Sequence, residues 1–247
     1  APEVLLEAMD RIDVDSLRTR VDVAAGAGRR VLLVARSDQP LDGPALPAGL
    51  EPAALIELVE EVRPDAADTL AYFARQGVTV KVISGDNPRT VAAVAARVGL
   101  DGADRFVDLR HPPTTLDELA RSTTVFGRVL PEQKRDLVAA LQRAGHAVAM
   151  TGDGVNDIPA LKQADLGIAM DTATPATRAV ARLVLLDGRF DHLPGVVAEG
   201  RRVIANMERV SSLFLTKTVY SAILAVVVGT AIWWKLRELC LKVGDRS

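Results

Sequence analysis

The chain has 247 residues, 49% of them hydrophobic and 25% charged, which excludes a disordered or collagen-like polypeptide. Its 30 basic and 32 acidic side chains leave a net charge of −2, and this excludes a broadly basic nucleic-acid binder. A single cysteine, Cys240, rules out a disulfide scaffold and a cysteine-based zinc site.

Residues from Ala1 to about Val62 form a mixed segment. Ala1–Arg11 has no basic start and no apolar core, so no signal peptide is expected there. A helix is predicted near Val4–Met9, a strand at Arg30–Ala35, and a Pro/Gly-rich loop at Gln39–Pro52. From Arg63 to about Arg202 strands and helices alternate. Apolar positions at Ala67, Leu70, Ala71 and Ala74 predict a helix over Asp65–Gln76, stopped by Gly77. The β-branched run Val78–Ile83 reads as a strand. It ends in the turn Ser84-Gly85-Asp86-Asn87-Pro88, with Asn87 or Asp86 as N-cap of a helix over Arg89–Val98. A helix over Pro131–Ala144 follows, opened by proline and stopped by Gly145. His146–Thr151, Leu166–Met170 and Arg182–Leu186 read as strands, and Ile158–Gln163 as a short helix. This alternation implies right-handed βαβ units and a parallel sheet, with ligands beyond the carboxyl ends of its strands.

The chain then turns apolar from Asn206 to Trp234. Thr218–Trp234 is 17 residues without a charge, and Val210–Trp234 is 25 residues with Lys217 as its one charge. About 20 residues cross the ~30 Å hydrocarbon layer, so a membrane helix is expected, with Trp233 and Trp234 at an interface.

The turn Thr151-Gly152-Asp153-Gly154-Val155-Asn156-Asp157 follows a buried strand. Two carboxylates and a carboxamide there suit a hard, oxygen-loving cation, most naturally Mg²⁺. The same residues also read as an Asx-rich turn capping a helix. Ser84-Gly85-Asp86 offers a hydroxyl and backbone N–H groups to a phosphate, or simply an N-cap. Lys134, one turn into its helix, is either a phosphate partner or a solvated surface lysine. Hydroxyl, ammonium and Mg²⁺ carboxylates together are the parts of a phosphoryl-transfer site. No Walker-type loop is present, so a P-loop enzyme is excluded. His111, His146 and His192 are scattered and read as structural or surface positions, and Phe126 and Phe190 as core.

Thr151-Gly152-Asp153-Gly154-Val155-Asn156-Asp157 resembles the hinge motif of P-type ATPases, the ion pumps of the haloacid dehalogenase superfamily. Pro131-Glu132-Gln133-Lys134 is similar to the lysine motif of that family, and Ser84-Gly85-Asp86-Asn87 to its Thr/Ser-Gly-Asp motif. Ala1-Pro2-Glu3 looks like the end of a Lys-Gly-Ala-Pro-Glu motif of the nucleotide domain. The resemblance runs from Ala1 to about Gly229 and is closest to bacterial calcium-type pumps. It implies an α/β, Rossmann-like haloacid dehalogenase-type parallel sheet with flanking helices. Residues 1–62 would be a remnant of the nucleotide-binding domain and 63–204 the phosphorylation domain. A transmembrane helix would occupy 205–234 and a charged tail 235–247. By the same resemblance Asp153 and Asp157 would hold Mg²⁺. Ser84, Gly85, Asp86, Lys134 and Asn156 would bind phosphate, and Lys134, Ser84 and Asp157 would serve catalysis. ATP and Mg²⁺ are the implied cofactors. The implied partners are a transported cation, with Ca²⁺ as the guess, the lipid bilayer and the missing N-terminal part of the pump, and no nucleic acid. The place implied is the plasma membrane, with residues 1–204 cytoplasmic.

The departures from the family pattern matter equally. The phosphorylated Asp-Lys-Thr-Gly-Thr motif and the Thr-Gly-Glu motif are absent from this sequence. Asp171-Thr172-Ala173-Thr174 follows the hinge loop, where the nucleophile should precede it. The family's central strand is missing with the motif, so its neighbours are expected to expose unpaired backbone groups. Without the nucleophile this chain alone is expected to form no phosphoenzyme. Two other readings stay open: a non-catalytic, membrane-anchored module binding phosphate, Mg²⁺ or a partner, and a soluble-type phosphatase of the same superfamily.

Overall fold

A computed structural model describes residues 2–9, 14–40 and 42–244, with side chains as far as Arg237. Ala1 of the Ala1-Pro2-Glu3 match and the end of the expected charged tail fall outside these residues. The chain divides into two units, one ending at His192 and one beginning at Leu193.

The first unit opens with α1 (Pro2–Glu7), α2 (Val14–Gly26), β1 (Arg29–Arg36) and β2 (Glu51–Val59). β1 and β2 pair antiparallel, from Arg29 opposite Val59 to Arg36 opposite Glu51, with a register shift at Val34/Ala35. Pro52 lacks an N–H for the ladder, and it sits beside that shift on a strand paired only to β1 among the described residues. Leu6, Met9, Val21, Ala24, Val31, Leu33 and Leu50 close a core of their own. α2 and β2 go beyond the expected elements. Val14, Leu17, Val21 and Ala24 do recur at helical spacing, but arginines and aspartates between them dilute the signal.

The half that carries the Ser84 turn follows. It comprises α3 (Ala66–Arg75), β3 (Val82–Ile83), α4 (Pro88–Arg97), β4 (Phe106–Asp108), α5 (Leu116–Ser122), β5 (Val125–Gly127) and α6 (Pro131–Arg143). Its parallel sheet has the order β3-β5-β4. Phe126, Leu137, Leu109 and Leu119 are almost fully buried beneath it. A second parallel sheet, β6-β7-β8, is built from β6 (Ala149–Gly152), β7 (Leu166–Met170) and β8 (Leu183–Leu185). α7 (Ile158–Gln163) and α8 (Pro175–Val180) connect its strands.

The expected parallel sheet is thus present as two three-stranded halves. β3 pairs only with β5, and β6 only with β7, among the described residues. Ile83 of β3 packs against the buried clusters of both halves, the one around Phe126 and the one around Met150 and Leu161. The strand expected over Val78–Ile83 shrinks to Val82–Ile83, because β5 is short and pairs with these two residues alone. β4, β5 and α8 are too short to show a period in sequence.

The second unit is α9 (Leu193–Gly244), 52 residues and ~78 Å long at 1.5 Å per residue. It is long and apolar enough to cross a membrane. The expected boundaries at 204 and 235 both fall inside this continuous helix. Large apolar side chains such as Phe214, Tyr220, Val226 and Trp234 are exposed. Arg237 lies over the Trp233 ring, 5.6 Å from its centroid, an arrangement suited to a membrane interface.

Phe126 touches the helices on its half-sheet and is 1% exposed. Phe126→Ala is expected to cost ~3–5 kcal/mol, read as a lowered urea midpoint for unfolding of residues 2–192.

Candidate functional site

The Ser84 turn grows directly from β3. Ser84 N–H donates to Phe126 O at 2.9 Å, extending the ladder by one step past Ile83. The Ser84 hydroxyl then accepts from Asp86 N–H at 3.1 Å. Asn87 is the N-cap of α4: its side-chain oxygen accepts from Arg89 N–H at 2.9 Å, and Pro88 begins the helix.

The chain leaving β5 clamps this turn from the side. Arg128 N–H donates to Asp86 O at 2.9 Å, and Val129 N–H to Ser84 O at 3.0 Å. The clamp requires Gly127, because a Cβ there would lie 2.5 Å from Pro88 backbone atoms. Asp86 also pairs with Arg30 of β1 at 3.2 Å.

The second turn follows β6. Asp157 is 7% exposed and ends the 3-10 turn Val155–Asp157. Lys134 Nζ donates to Asp157 Oδ1 at 2.6 Å, with both side chains largely buried. Gly154 N–H donates to Asp157 Oδ2 at 3.3 Å. Both carboxylate oxygens are therefore engaged. A Cβ on Gly152 would meet Asp157 Cβ at 2.5 Å, so the carboxylate reaches this position only across a glycine. Lys134 stands in the first turn of α6. There Gln133 accepts from Leu130 N–H and donates to Leu109 O, each at 2.9 Å, and fixes the helix start.

Asp153 and Asn156, on the same loop, are exposed. Asp153 O accepts from Thr174 N–H at 3.4 Å, while its carboxylate has no hydrogen-bond or ion-pair partner among the described residues. Among the described residues no three His, Cys, Asp or Glu side chains converge as a metal cage. One open carboxylate instead fits the manner of Mg²⁺, which keeps waters and takes one or two carboxylates beside phosphate oxygens.

The structure joins Lys134 to Asp157 directly. It places Ser84, Gly85 and Asp86 beyond the carboxyl end of β3, and Asp153, Asn156 and Asp157 beyond that of β6. Asp171 pairs with Arg178 at 3.3 Å and Thr174 caps α8, so Asp171–Thr174 is a helix start. His111, His146 and His192 are exposed, and Phe126 is core as expected. Sequence reasoning passed over Gly127, Arg128 and Arg30. The Gly-Arg-Val step between a strand and a proline-opened helix was the available signal, since it offers a close approach followed by a cation.

Lys134→Met leaves the buried Asp157 carboxylate without its cation and is expected to cost ~3–5 kcal/mol. Adding Asp157→Asn should recover most of that loss. Urea unfolding of the single and double variants measures both values.

A family model described as haloacid dehalogenase-like hydrolase matches residues 3–165. "Calcium-transporting ATPase CtpE" of Mycolicibacterium smegmatis is 53% identical over 232 residues, which is 93% of this chain and 28% of the relative. The protein of the same name in Mycobacterium tuberculosis is 55% identical over 233 residues, with the same coverage. "Probable cation-transporting ATPase exp7" of Streptococcus pneumoniae is 42% identical over 230 residues, 92% of this chain and 28% of the relative. The chain thus spans 28% of the length of each of these curated relatives. It belongs to the haloacid dehalogenase-like hydrolase family, and the relatives it resembles along nearly its whole length are cation-transporting ATPases.

Proposed function

We propose that this chain is the Mg²⁺- and phosphate-binding half of the phosphorylation domain of a longer, ATP-driven cation pump. The observation that carries the reading is the Lys134–Asp157 pair beside the open Asp153 carboxylate at the end of β6. In parallel α/β sheets this is the end at which ligands bind. Lys134 supplies a fixed ammonium and Ser84 a hydroxyl for phosphate oxygens. Gly85 and Asp86 shape the Ser84 turn, and Asn156 adds an exposed carboxamide. Asp153 is the direct Mg²⁺ ligand. Asp157, held by Lys134 and Gly154, supports the metal and the ammonium from behind. Bound Mg²⁺ supplies positive charge that offsets the charge of the transferring phosphoryl group.

The carboxylate that would receive the phosphoryl group is not in this sequence. The unpaired edges of β3 and β6 are where a strand carrying it would fit, from the part of the pump outside these 247 residues. Residues 1–62 are then the end of the nucleotide-binding domain, 63–204 the phosphorylation domain, and 205–234 the membrane-crossing part of α9. Residues 1–204 lie on the cytoplasmic side, where ATP is, and the pump sits in the plasma membrane. Ca²⁺ is the proposed cargo, by analogy with the names of the most similar relatives described above.

Asp153→Asn in the complete polypeptide is expected to lower phosphorylation from ATP by at least ~100-fold, the scale of losing a charge-stabilising contact in such a site. Labelled-phosphate incorporation measures it, and wild-type incorporation would overturn the assignment. The 247-residue chain alone is expected to incorporate no label.

A further inference from the structure

Arg128 is the one non-glycine with positive φ among the described residues, at +53°. A side chain holds such a backbone only where its surroundings over-determine it. Here four contacts do so. Its N–H is bound to Asp86 O, and its Nη1 reaches Gly85 O at 3.5 Å. Its Nη2 donates to both oxygens of Glu3, at 2.9 and 2.8 Å. Arg128 Nε is buried with no partner among the described residues, so the guanidinium keeps this pose at the cost of one unmet donor.

Glu3 belongs to α1, at the far end of the sequence. Asn87, the cap of α4, also donates to Glu3 Oε1, at 2.9 Å. Burial opposes ionisation of Glu3, but its own backbone N–H, Arg128 and Asn87 outweigh it and hold the carboxyl below its usual range. The N-terminal module makes two further ties to the same place. Arg30 pairs with Asp86, and Thr90 Oγ1 donates to Arg29 O at 3.3 Å. Three contacts from one module therefore converge on a turn of four residues and the helix it opens.

We propose that Glu3 is a positioning residue for the phosphate turn. Acting through Arg128 and Asn87, it fixes Ser84–Asn87 in the shape seen here. Loss of the Glu3 carboxylate leaves Arg128 and Asn87 without their shared anchor, and the turn is then held by its backbone bonds to Arg128 and Val129. The functional half of this inference rests on the reading of Ser84–Asn87 as a phosphate site. The structural half does not.

The test uses the complete polypeptide in its membrane and two readouts. Amide exchange of the Ser84–Asn87 segment is expected to rise about tenfold in Glu3→Gln, with Met150–Gln163 unchanged as the internal control for global loosening. The KM for ATP in phosphoenzyme formation should rise about tenfold while kcat moves less than about twofold. Arg128→Lys keeps the charge without the fork and should give an intermediate rise in both. Exchanging the charges, Glu3→Arg with Arg128→Glu, should recover most of the protection. A wild-type exchange rate at the turn in both Glu3→Gln and Arg128→Lys overturns the proposal. Faster turn exchange with an unchanged KM overturns its functional half alone. Undiminished phosphorylation in Asp153→Asn would instead indict the site assignment, and the exchange data would still decide the role of Glu3.

Discussion

A carboxylate as shut off as that of Asp157 is costly to bury unless both of its oxygens have partners. Lys134 takes one and Gly154 N–H the other. That requirement organises much of the surrounding chain. Gly152 must lack a Cβ, because Asp157 occupies the space. The 3-10 turn must bend the chain within three residues, so that Asp157 faces back to Gly154. α6 must begin where it does, because only its first turn brings Lys134 within reach. The Pro131 start and the Gln133 contacts to Leu130 and Leu109 meet that last demand. With Asp157 spoken for, Asp153 is left as the open carboxylate of the loop.

The second constraint is the pair of strand edges. A parallel strand needs hydrogen-bonding partners, and parallel sheets are normally buried on both faces and continuous. Among the described residues β3 and β6 each have one partner, yet Ile83 already shares its side chain with both cores. The two half-sheets therefore share an apolar contact while each keeps an open edge among the described residues. Exposed edges of this kind invite non-native pairing, so the 247 residues by themselves should be prone to association.

Much of this was legible in the sequence, and for physical reasons. The Pro131 helix, the Ser84 turn and the strand at Leu166–Met170 have strong local signals, namely proline at the first helical position, a cap residue, and a β-branched or apolar run. These fall where they were expected, as does the α/β class. The hairpin strand Glu51–Val59 was obscured by Pro52, which reads as loop unless one knows that the strand is an edge. β4 and β5 are three residues each, so their identity comes from parallel neighbours and not from their own pattern. Asp153, Asp157, Ser84 and Lys134 were legible through their motifs, Thr151–Asp157, Ser84–Asn87 and Pro131–Lys134, each at a strand end or a helix start. Arg128 does not stand out. Its importance lies in a backbone angle and in a partner 125 residues away, and neither is written locally.

Those two facts about Arg128 share a cause. Gly127 must pass within contact of Pro88, so the chain leaving β5 has to swing sharply to reach the start of α6. The swing is absorbed at the next residue, which therefore adopts the left-handed conformation. Glycine would do this at less cost. An arginine there is strained, and its side chain is thrown back across the Ser84 turn toward α1. The strain is repaid only if something anionic waits for the guanidinium, and Glu3 supplies the carboxylate. The close glycine approach, the strained arginine and the distant glutamate are thus successive consequences of one tight exit from β5. They tie the shape of the Ser84 turn to the position of the N-terminal module.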